Sequence, residues 1–157
     1  MNWRNVAEDI SEWIGDYANK NGIEALVVGV SGGVDSAVTS TLSAMTGIET
    51  ILLNMPIHQD REQFDLSDRH IEWLGEKWGN VRGEVLDLSS TYDEFCSKVD
   101  GLSELSLANS RARLRMTTLY GIAGSNNGIV VGTGNKVEDF GVGFFTKYGD
   151  GGVDISP

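Results

Sequence analysis

The sequence contains little cysteine, histidine or basic charge. Cys96 is the single cysteine, and His58 and His70 are the only histidines. An internal disulfide, a thiolate metal site and a histidine-rich metal centre are therefore excluded. With 12 Lys and Arg against 23 Asp and Glu, the formal net charge is -11. This charge argues against general nucleic-acid binding, because clustered cations supply most of the affinity for phosphate backbones.

The sequence also lacks a long apolar run. No segment approaches the roughly 20 apolar residues that cross a bilayer, and the opening residues, MNWRNVAEDISEW, lack the apolar core and cleavage site of a secretory signal. The composition, 40% hydrophobic and 22% charged, is typical of a globular protein. We therefore expect a cytoplasmic protein that does not enter membranes, with residues 1–157 forming a single domain.

Short apolar runs alternate with segments of helical periodicity. The apolar runs predict strands over residues 25–30, 50–55, 84–88 and 128–132. Helical spacing covers residues 6–19, 36–45, 62–78, 92–99 and 103–124. This alternation predicts an α/β fold, a Rossmann-like parallel sheet with helices on both faces. The Gly-rich stretch after Gly132 has no clear period and predicts a long loop, a feature that often binds a ligand.

The first predicted strand runs directly into the turn SGGVDS and then into a helix. A Gly-rich turn at this place offers N–H groups and a favourable helix dipole to an anion. The turn matches neither GxxxxGK[ST], the usual NTPase loop, nor GxGxxG, the usual dinucleotide-binding fingerprint. Asp35 would repel a phosphate unless a hard cation such as Mg²⁺ bridges the two, so we expect Mg²⁺ with the nucleotide. The alternative is a plain strand-to-helix turn in which Asp35 or Ser36 only caps the helix.

The motif SGGVDS resembles the SGGxDS loop of the ATP pyrophosphatases, which adenylate an acceptor by cleaving ATP between its α and β phosphates. The segments ANSRARLRM, VVGTGNKVE and GFFTKYGDGGVD are similar, in the same order, to the ammonia-dependent NAD synthetases. The resemblance implies an adenine nucleotide alpha hydrolase-like fold that is incomplete at its C-terminus relative to the family. It also implies a homodimer that amidates deamido-NAD with ammonia, using ATP and Mg²⁺ and passing through an acyl adenylate, without a protein nucleophile.

The resemblance also assigns roles to individual residues. It implies ATP binding by Gly29, Val30, Ser31, Gly32, Gly33, Val34, Asp35, Ser36 and Thr133. It implies Mg²⁺ binding by Asp35 and Glu138, and deamido-NAD binding by Arg113, Lys147 and Asp154. The stretch between Glu138 and FFTKYGD is slightly longer than in the family, so the two sides of this stretch are aligned separately.

Helical geometry bears on the three arginines of the second motif. On a helix, Arg111 and Arg115 lie about 40° apart, whereas Arg113 points about 200° from Arg111. The three therefore cannot serve one patch. Arg113 alone facing the dinucleotide fits the single arginine that the resemblance implies, with the other two pairing with acids or with a neighbouring subunit. The alternative is a solvated cationic helix surface.

Two further points stay open from the sequence. The loop aromatics Phe144, Phe145 and Tyr148 could stack on a pyridine or adenine ring or simply pack the loop down. The chain could also be a catalytically silent nucleotide-binding or dimerisation module, or a different adenylating ligase of the same superfamily.

Overall fold

The computed structural model describes residues 2–157 and contains one four-stranded parallel sheet. The strands are β1 (Ala25–Gly29), β2 (Glu49–Asn54), β3 (Val81–Val85) and β4 (Gly128–Val130), and their spatial order is β3-β2-β1-β4. Val27 of β1 lies opposite Ile51 on one side and Val130 on the other. Because every pair is parallel, the carboxyl ends of the four strands share one edge of the sheet.

Five α-helices cover the two faces of the sheet: α1 (Trp3–Lys20), α2 (Val34–Met45), α3 (Arg61–Lys77), α4 (Ser89–Lys98) and α5 (Glu104–Ser125). Side chains of a strand alternate between faces. Leu26 and Leu52 accordingly pack with α1, α2 and α3 on one side, and Val27 packs with Met116 of α5 on the other. The predicted α/β class with helices on both faces is confirmed. No helix that the structure describes is both long and apolar enough to span a membrane.

The third strand lies three residues earlier than its apolar run predicted. The strand occupies Val81–Val85 rather than 84–88. It is an edge strand with a half-exposed pattern, so it lacks the continuous apolar signature of the buried strands. Leu86 and Leu88 follow it, and their N–H groups donate to the carbonyls of Asn54 and Pro56, both at 2.9 Å. The apolar run therefore covers the last two residues of the strand and the three residues that follow it.

The predicted long loop after Gly132 contains a short π-helix over Val137–Val142. It ends at Gly143, whose φ of 72° lies in the left-handed region. The chain then returns to the sheet edge, where Gly132 N–H donates to Ile155 O at 2.8 Å. The prediction of a structureless loop over this stretch is therefore wrong for six of its residues.

Candidate functional site

The turn after β1 closes on itself through two serine side chains. The Ser31 and Ser36 Oγ atoms lie 3.2 Å apart. Ser36 Oγ donates to Gly33 O at 3.0 Å and accepts from Ser31 N–H at 3.2 Å. Helix α2 begins directly after Gly33 and has no side-chain cap, so neither Asp35 nor Ser36 acts as the cap that the alternative interpretation required. An uncapped helix start at the carboxyl edge of the sheet suits an anion.

Gly32 allows this turn to pack against the start of α3. Its φ of +85° favours glycine, and a Cβ there would lie 2.8 Å from Gln63 O and 3.3 Å from the Leu66 Cβ. Gln59 also donates from Nε2 to Ser31 O at 3.5 Å. The first turns of α3 therefore form the wall that holds the glycine turn in place.

A cavity of about 330 Å³ opens beside the turn. It is lined by the end of β1, by one face of α5 and by the chain after β4. Most of its lining side chains are apolar, including Met55, Met116, Leu119, Val131 and Val153, and the polar ones include Ser31, Arg115 and Thr133. A mostly apolar cleft with a few polar groups is the usual setting for a small-molecule ligand.

A second cavity of about 510 Å³ lies at the start of α2, and Thr133 lines both cavities. Its lining includes Asp35, Asn135 and Asp139. Asn135 Nδ2 donates to Asp35 Oδ2 at 3.3 Å, and Asn135 Oδ1 accepts from the N–H groups of Val137 and Glu138 at 3.1 and 3.0 Å. One amide side chain thus joins Asp35 to the segment that carries Glu138.

The two acids of that segment differ in exposure. Asp139 is half-buried, and its carboxylate lies against Gly134 inside the second cavity. Glu138 is exposed. The predicted pair of Asp35 and Glu138 is therefore linked through Asn135, while Asp139 shares a cavity with Asp35.

Two of the three predicted dinucleotide-binding residues meet in the structure. Arg113 is exposed, and its Nε donates to Lys147 O at 3.0 Å. Asp154 lies elsewhere, with Oδ2 accepting from Val130 N–H at 2.8 Å. Burial, followed by the neighbouring Asp154, raises the pKa of Tyr120 to about 12. The structure therefore ties Asp154 to the end of β4 and brings Arg113 to the backbone of the FFTKYGD segment.

Two of the three aromatic side chains of that segment are largely exposed, and the third, Phe145, lies against Gly151 of the same loop. Phe144 is 77% exposed, Phe145 50% and Tyr148 71%. Lys147 Nζ lies 4.9 Å from the centre of the Tyr148 ring. The rings of Phe144 and Tyr148 are therefore accessible, and stacking on a ligand stays a prediction.

Arg115 is the site residue that the sequence interpretation missed. It is half-buried, it lines the first cavity, and its Nε donates to Met55 O at 2.8 Å. Burial, with a smaller effect of Arg111, lowers the pKa of Arg115. Among residues 2–157 neither Arg111 nor Arg115 forms an ion pair, so pairing with acids of the same chain is wrong, whereas pairing with a neighbouring subunit stays a prediction. The available signal was helical spacing, because Ala112, Arg115, Met116 and Leu119 share one face.

Comparison with known proteins decides the family. Residues 6–157 match the NAD synthase family model. This chain belongs to the NAD synthase family. The NH(3)-dependent NAD(+) synthetase of Methanosarcina acetivorans is 38% identical over 164 residues, a match that covers 100% of this chain and 62% of the relative. That of Carboxydothermus hydrogenoformans is 36% identical and 65% covered.

Solved structures of the NAD synthase family share the fold along the whole chain. NMN synthetase from Francisella tularensis superposes with a TM-score of 0.91 at 32% identity, covering 100% of this chain and 64% of that one. The NH3-dependent NAD synthetase from Campylobacter jejuni gives 0.90 at 29% identity, with 100% and 67% covered. The chain spans a little under two thirds of the length of the first two relatives named above.

The donors at the second cavity fit a magnesium ion carried by a nucleotide. Within residues 2–157 no three His, Cys, Asp or Glu side chains are grouped closely enough to hold an ion alone. Mg²⁺ usually takes one or two carboxylates and completes its octahedron with water and substrate phosphates. Asp35 beside the glycine turn, with an acid of the π-helical segment, matches this incomplete protein donor set.

Proposed function

We propose that this chain is the nucleotide-activating part of an ammonia-dependent NAD synthetase. The observation that carries the proposal is the closed SGGVDS turn at the carboxyl end of β1, which lies between an apolar cavity and a cavity lined by Asp35. The first cavity suits a nucleoside, and the turn suits its phosphates. Membership of the NAD synthase family supports the choice of acceptor.

The proposed reaction overcomes the resistance of a carboxylate to attack by ammonia. An oxygen of the nicotinate carboxylate attacks the α phosphorus of ATP, and the bond from that phosphorus to the oxygen bridging to the β phosphate breaks. Pyrophosphate leaves. Ammonia then attacks the carbonyl carbon of the acyl adenylate, AMP leaves, and the excess proton passes to solvent. The protein contributes positioning and charge stabilisation, without a nucleophilic side chain.

The residue roles follow the predicted assignments. The backbone of residues 29–36, with Thr133, holds ATP. Bound Mg²⁺ would neutralise charge on its phosphates, with Asp35 and Glu138 as the protein carboxylates. Arg113, Lys147 and Asp154 hold the dinucleotide. The hydrogen bond between Arg113 and the Lys147 backbone supports a shared surface for the first two.

A mononucleotide acceptor is a second candidate. The fold match to a protein named NMN synthetase is as strong as the match to an NAD synthetase, with TM-scores of 0.91 and 0.90. The same adenylation chemistry applied to nicotinate mononucleotide would give its amide. The carboxylate and the leaving groups are identical in the two reactions.

The decisive assay supplies ATP, Mg²⁺ and ammonia with one acceptor at a time. We expect AMP formation with deamido-NAD and the appearance of NAD. AMP formation with nicotinate mononucleotide alone would select the second candidate. AMP formation only with aspartate or with the nucleotide precursor of GMP would assign the chain to another ligase of the superfamily. Nucleotide binding without AMP under every condition would identify a catalytically silent module.

A further inference from the structure

Arg115 is positively charged, and the described chain provides no acidic side chain that pairs with it. The protein has 23 acidic and 12 basic residues, yet Arg115 and Arg111, one helical turn away, form no ion pair within residues 2–157. Arg111 at least lies over the Tyr92 ring, 5.5 Å from its centre. Two like charges at this spacing repel each other. In so acidic a chain, a half-buried arginine without an acidic partner indicates that a bound ligand supplies the negative charge.

The position of Arg115 shows where that charge would lie. Arg115 lines the 330 Å³ cavity together with Gly29, the last residue of β1, and Ser31, the first residue of the glycine turn. Asp150 is the one carboxylate in this lining, and its Oδ1 accepts from Thr146 N–H at 3.0 Å. A cation in a mostly apolar wall loses solvation and is stabilised by a bound anion.

The hydrogen bonds of Arg115 orient its guanidinium group. Nε donates to Met55 O at 2.8 Å, at the end of β2. Within the described chain, no hydrogen bond involves either of its terminal nitrogens. An arginine held at Nε presents its terminal N–H groups as a fixed fork, the arrangement that binds phosphate or carboxylate oxygens.

We propose that Arg115 binds an oxyanion of the nucleotide that occupies the first cavity. This inference rests on the proposed function. The observations favour the α phosphate of the adenine nucleotide, because the cavity that Arg115 lines begins at Gly29 and Ser31. The same fork could bind an oxyanion of the nicotinate nucleotide, and the binding measurements below separate these two sources.

A purely structural role would have a different signature. In that case Arg115 would only join α5 to the end of β2 through the Met55 carbonyl. Its loss would then deform the apolar cavity and weaken binding of an uncharged nucleoside as much as that of a nucleotide. Oxyanion binding predicts a loss confined to ligands that carry a phosphate or carboxylate.

The test measures calorimetric affinities of adenosine, AMP and nicotinate mononucleotide for the wild-type chain and three variants. Arg115→Gln removes the charge, and Arg115→Lys restores a charge without the fork. Arg69→Gln is the matched control, because Arg69 is exposed on α3 and its Nε also donates to a backbone carbonyl, that of Asp65 at 3.2 Å. Thermal unfolding establishes that each variant is folded.

We expect Arg115→Gln to weaken AMP binding by about 10- to 100-fold, as for loss of a hydrogen bond to a charged group. Adenosine binding should stay within about twofold, Arg115→Lys should recover part of the AMP affinity, and Arg69→Gln should match the wild type. A selective loss of nicotinate mononucleotide affinity would instead assign the fork to the acceptor. Equal losses of adenosine and AMP, unchanged affinities, or no AMP binding by the wild type would overturn the inference.

These outcomes separate the inference from the proposed function. If AMP binding depends on Arg115 but no acceptor is ever adenylated, the proposed reaction fails while the role of Arg115 stands. If the wild type makes NAD and Arg115→Gln binds both AMP and nicotinate mononucleotide normally, the reaction stands and the role of Arg115 is rejected.

Discussion

At the scale of single residues, the site depends on a few side chains whose neighbours leave little choice of residue. Gly32 combines a left-handed φ with direct contact to the backbone of α3. Asn135 uses both ends of its amide to join Asp35 to the start of the π-helix. The contact of Gly32 with α3 and the hydrogen bond from Asn135 to Asp35 each link segments that are distant in sequence.

Gly32→Ala should lower the free energy of unfolding by about 1–3 kcal/mol, because a Cβ is strained at positive φ and meets the Gln63 carbonyl. Urea denaturation measures the change. Gly33→Ala is the matched control, since Gly33 has an extended backbone and a Cβ there meets only Ser31 Oγ, at 3.3 Å. Equal stability of the two variants would contradict the close packing of the turn on α3.

Asp35→Ala should abolish acceptor-dependent AMP formation and leave the fold intact, because this half-buried carboxylate faces the cavity proposed for the metal-bound phosphates. We expect at least a roughly 100-fold loss of rate, in keeping with loss of a preorganised electrostatic contact. Glu72→Gln, an exposed acid on α3, serves as the control for loss of charge. Full activity of the Asp35 variant would remove this carboxylate from the mechanism.

At the scale of secondary-structure elements, polar side-chain contacts hold the helices in position around the glycine turn. Ser40 Oγ of α2 lies 2.9 Å from His70 Nε2 of α3, and Ser40 also donates to Ser36 O at 2.7 Å. The packing of α3 is thereby connected to the helix that starts at the glycine turn.

The contact between α2 and α3 should make stability depend on pH. Burial lowers the pKa of His70 below its ordinary 6.5, so the unfolded chain binds this proton more readily than the folded one. The histidine's contribution to stability is therefore complete above pH 6.5 and is lost as the pH falls toward the folded-state pKa. The difference in unfolding free energy between wild type and His70→Gln should shrink between pH 7.5 and 5.5. A difference in unfolding free energy that stays constant over this pH range would contradict the lowered pKa of His70.

Deletion of Gly141 should convert the π-helix to an α-helical turn at little cost, because the extra residue sits in an exposed segment and a Cβ at Gly141 would meet only Val137, at 3.8 Å. The unfolding free energy should stay within about 1 kcal/mol of the wild type. Deletion of Ala44 is the matched control, because one residue fewer turns the end of the buried α2 helix by about 100°. Equal damage from both deletions would show that the π-helix is a fixed structural requirement.

At the scale of the whole molecule, the acidic surface coexists with exposed aromatic side chains. Trp3 is 73% exposed and Phe144 77%, whereas the formal charge of -11 opposes non-specific association. Large exposed apolar groups in such a chain are typical of interaction surfaces. The resemblance to NAD synthetases led us to expect a homodimer, and this surface composition is compatible with one.

Light scattering coupled to size exclusion should give the mass of two chains at micromolar concentration. The physical reason is burial of exposed apolar side chains, which favours association at roughly 25 cal/mol per Å² of apolar area before the cost of ordering. The mass should persist in high salt, since screening does not weaken apolar contacts. The mass of one chain at every concentration would contradict the dimer.

The sequence by itself determined the fold class and the location of the glycine turn. Buried parallel strands must be continuously apolar, so the residues of β1 and β2 could be recognised directly, and a Gly-rich turn between strand and helix has few other uses. Local signals failed at β3 because an edge strand is half-exposed, and at Val137–Val142 because a π-helix has no distinctive spacing.

Only the tertiary structure decided which charged side chains face the cavities. Helical angles separated Arg113 from Arg115 but could not say which side of α5 meets the sheet, because that depends on packing against β1 and β4. The placement of Asp154 beside Val130 and of Arg115 beside Met55 joins residues 24 and 60 positions apart. Contacts of that range arise when the chain folds back on itself, and local sequence patterns do not record them.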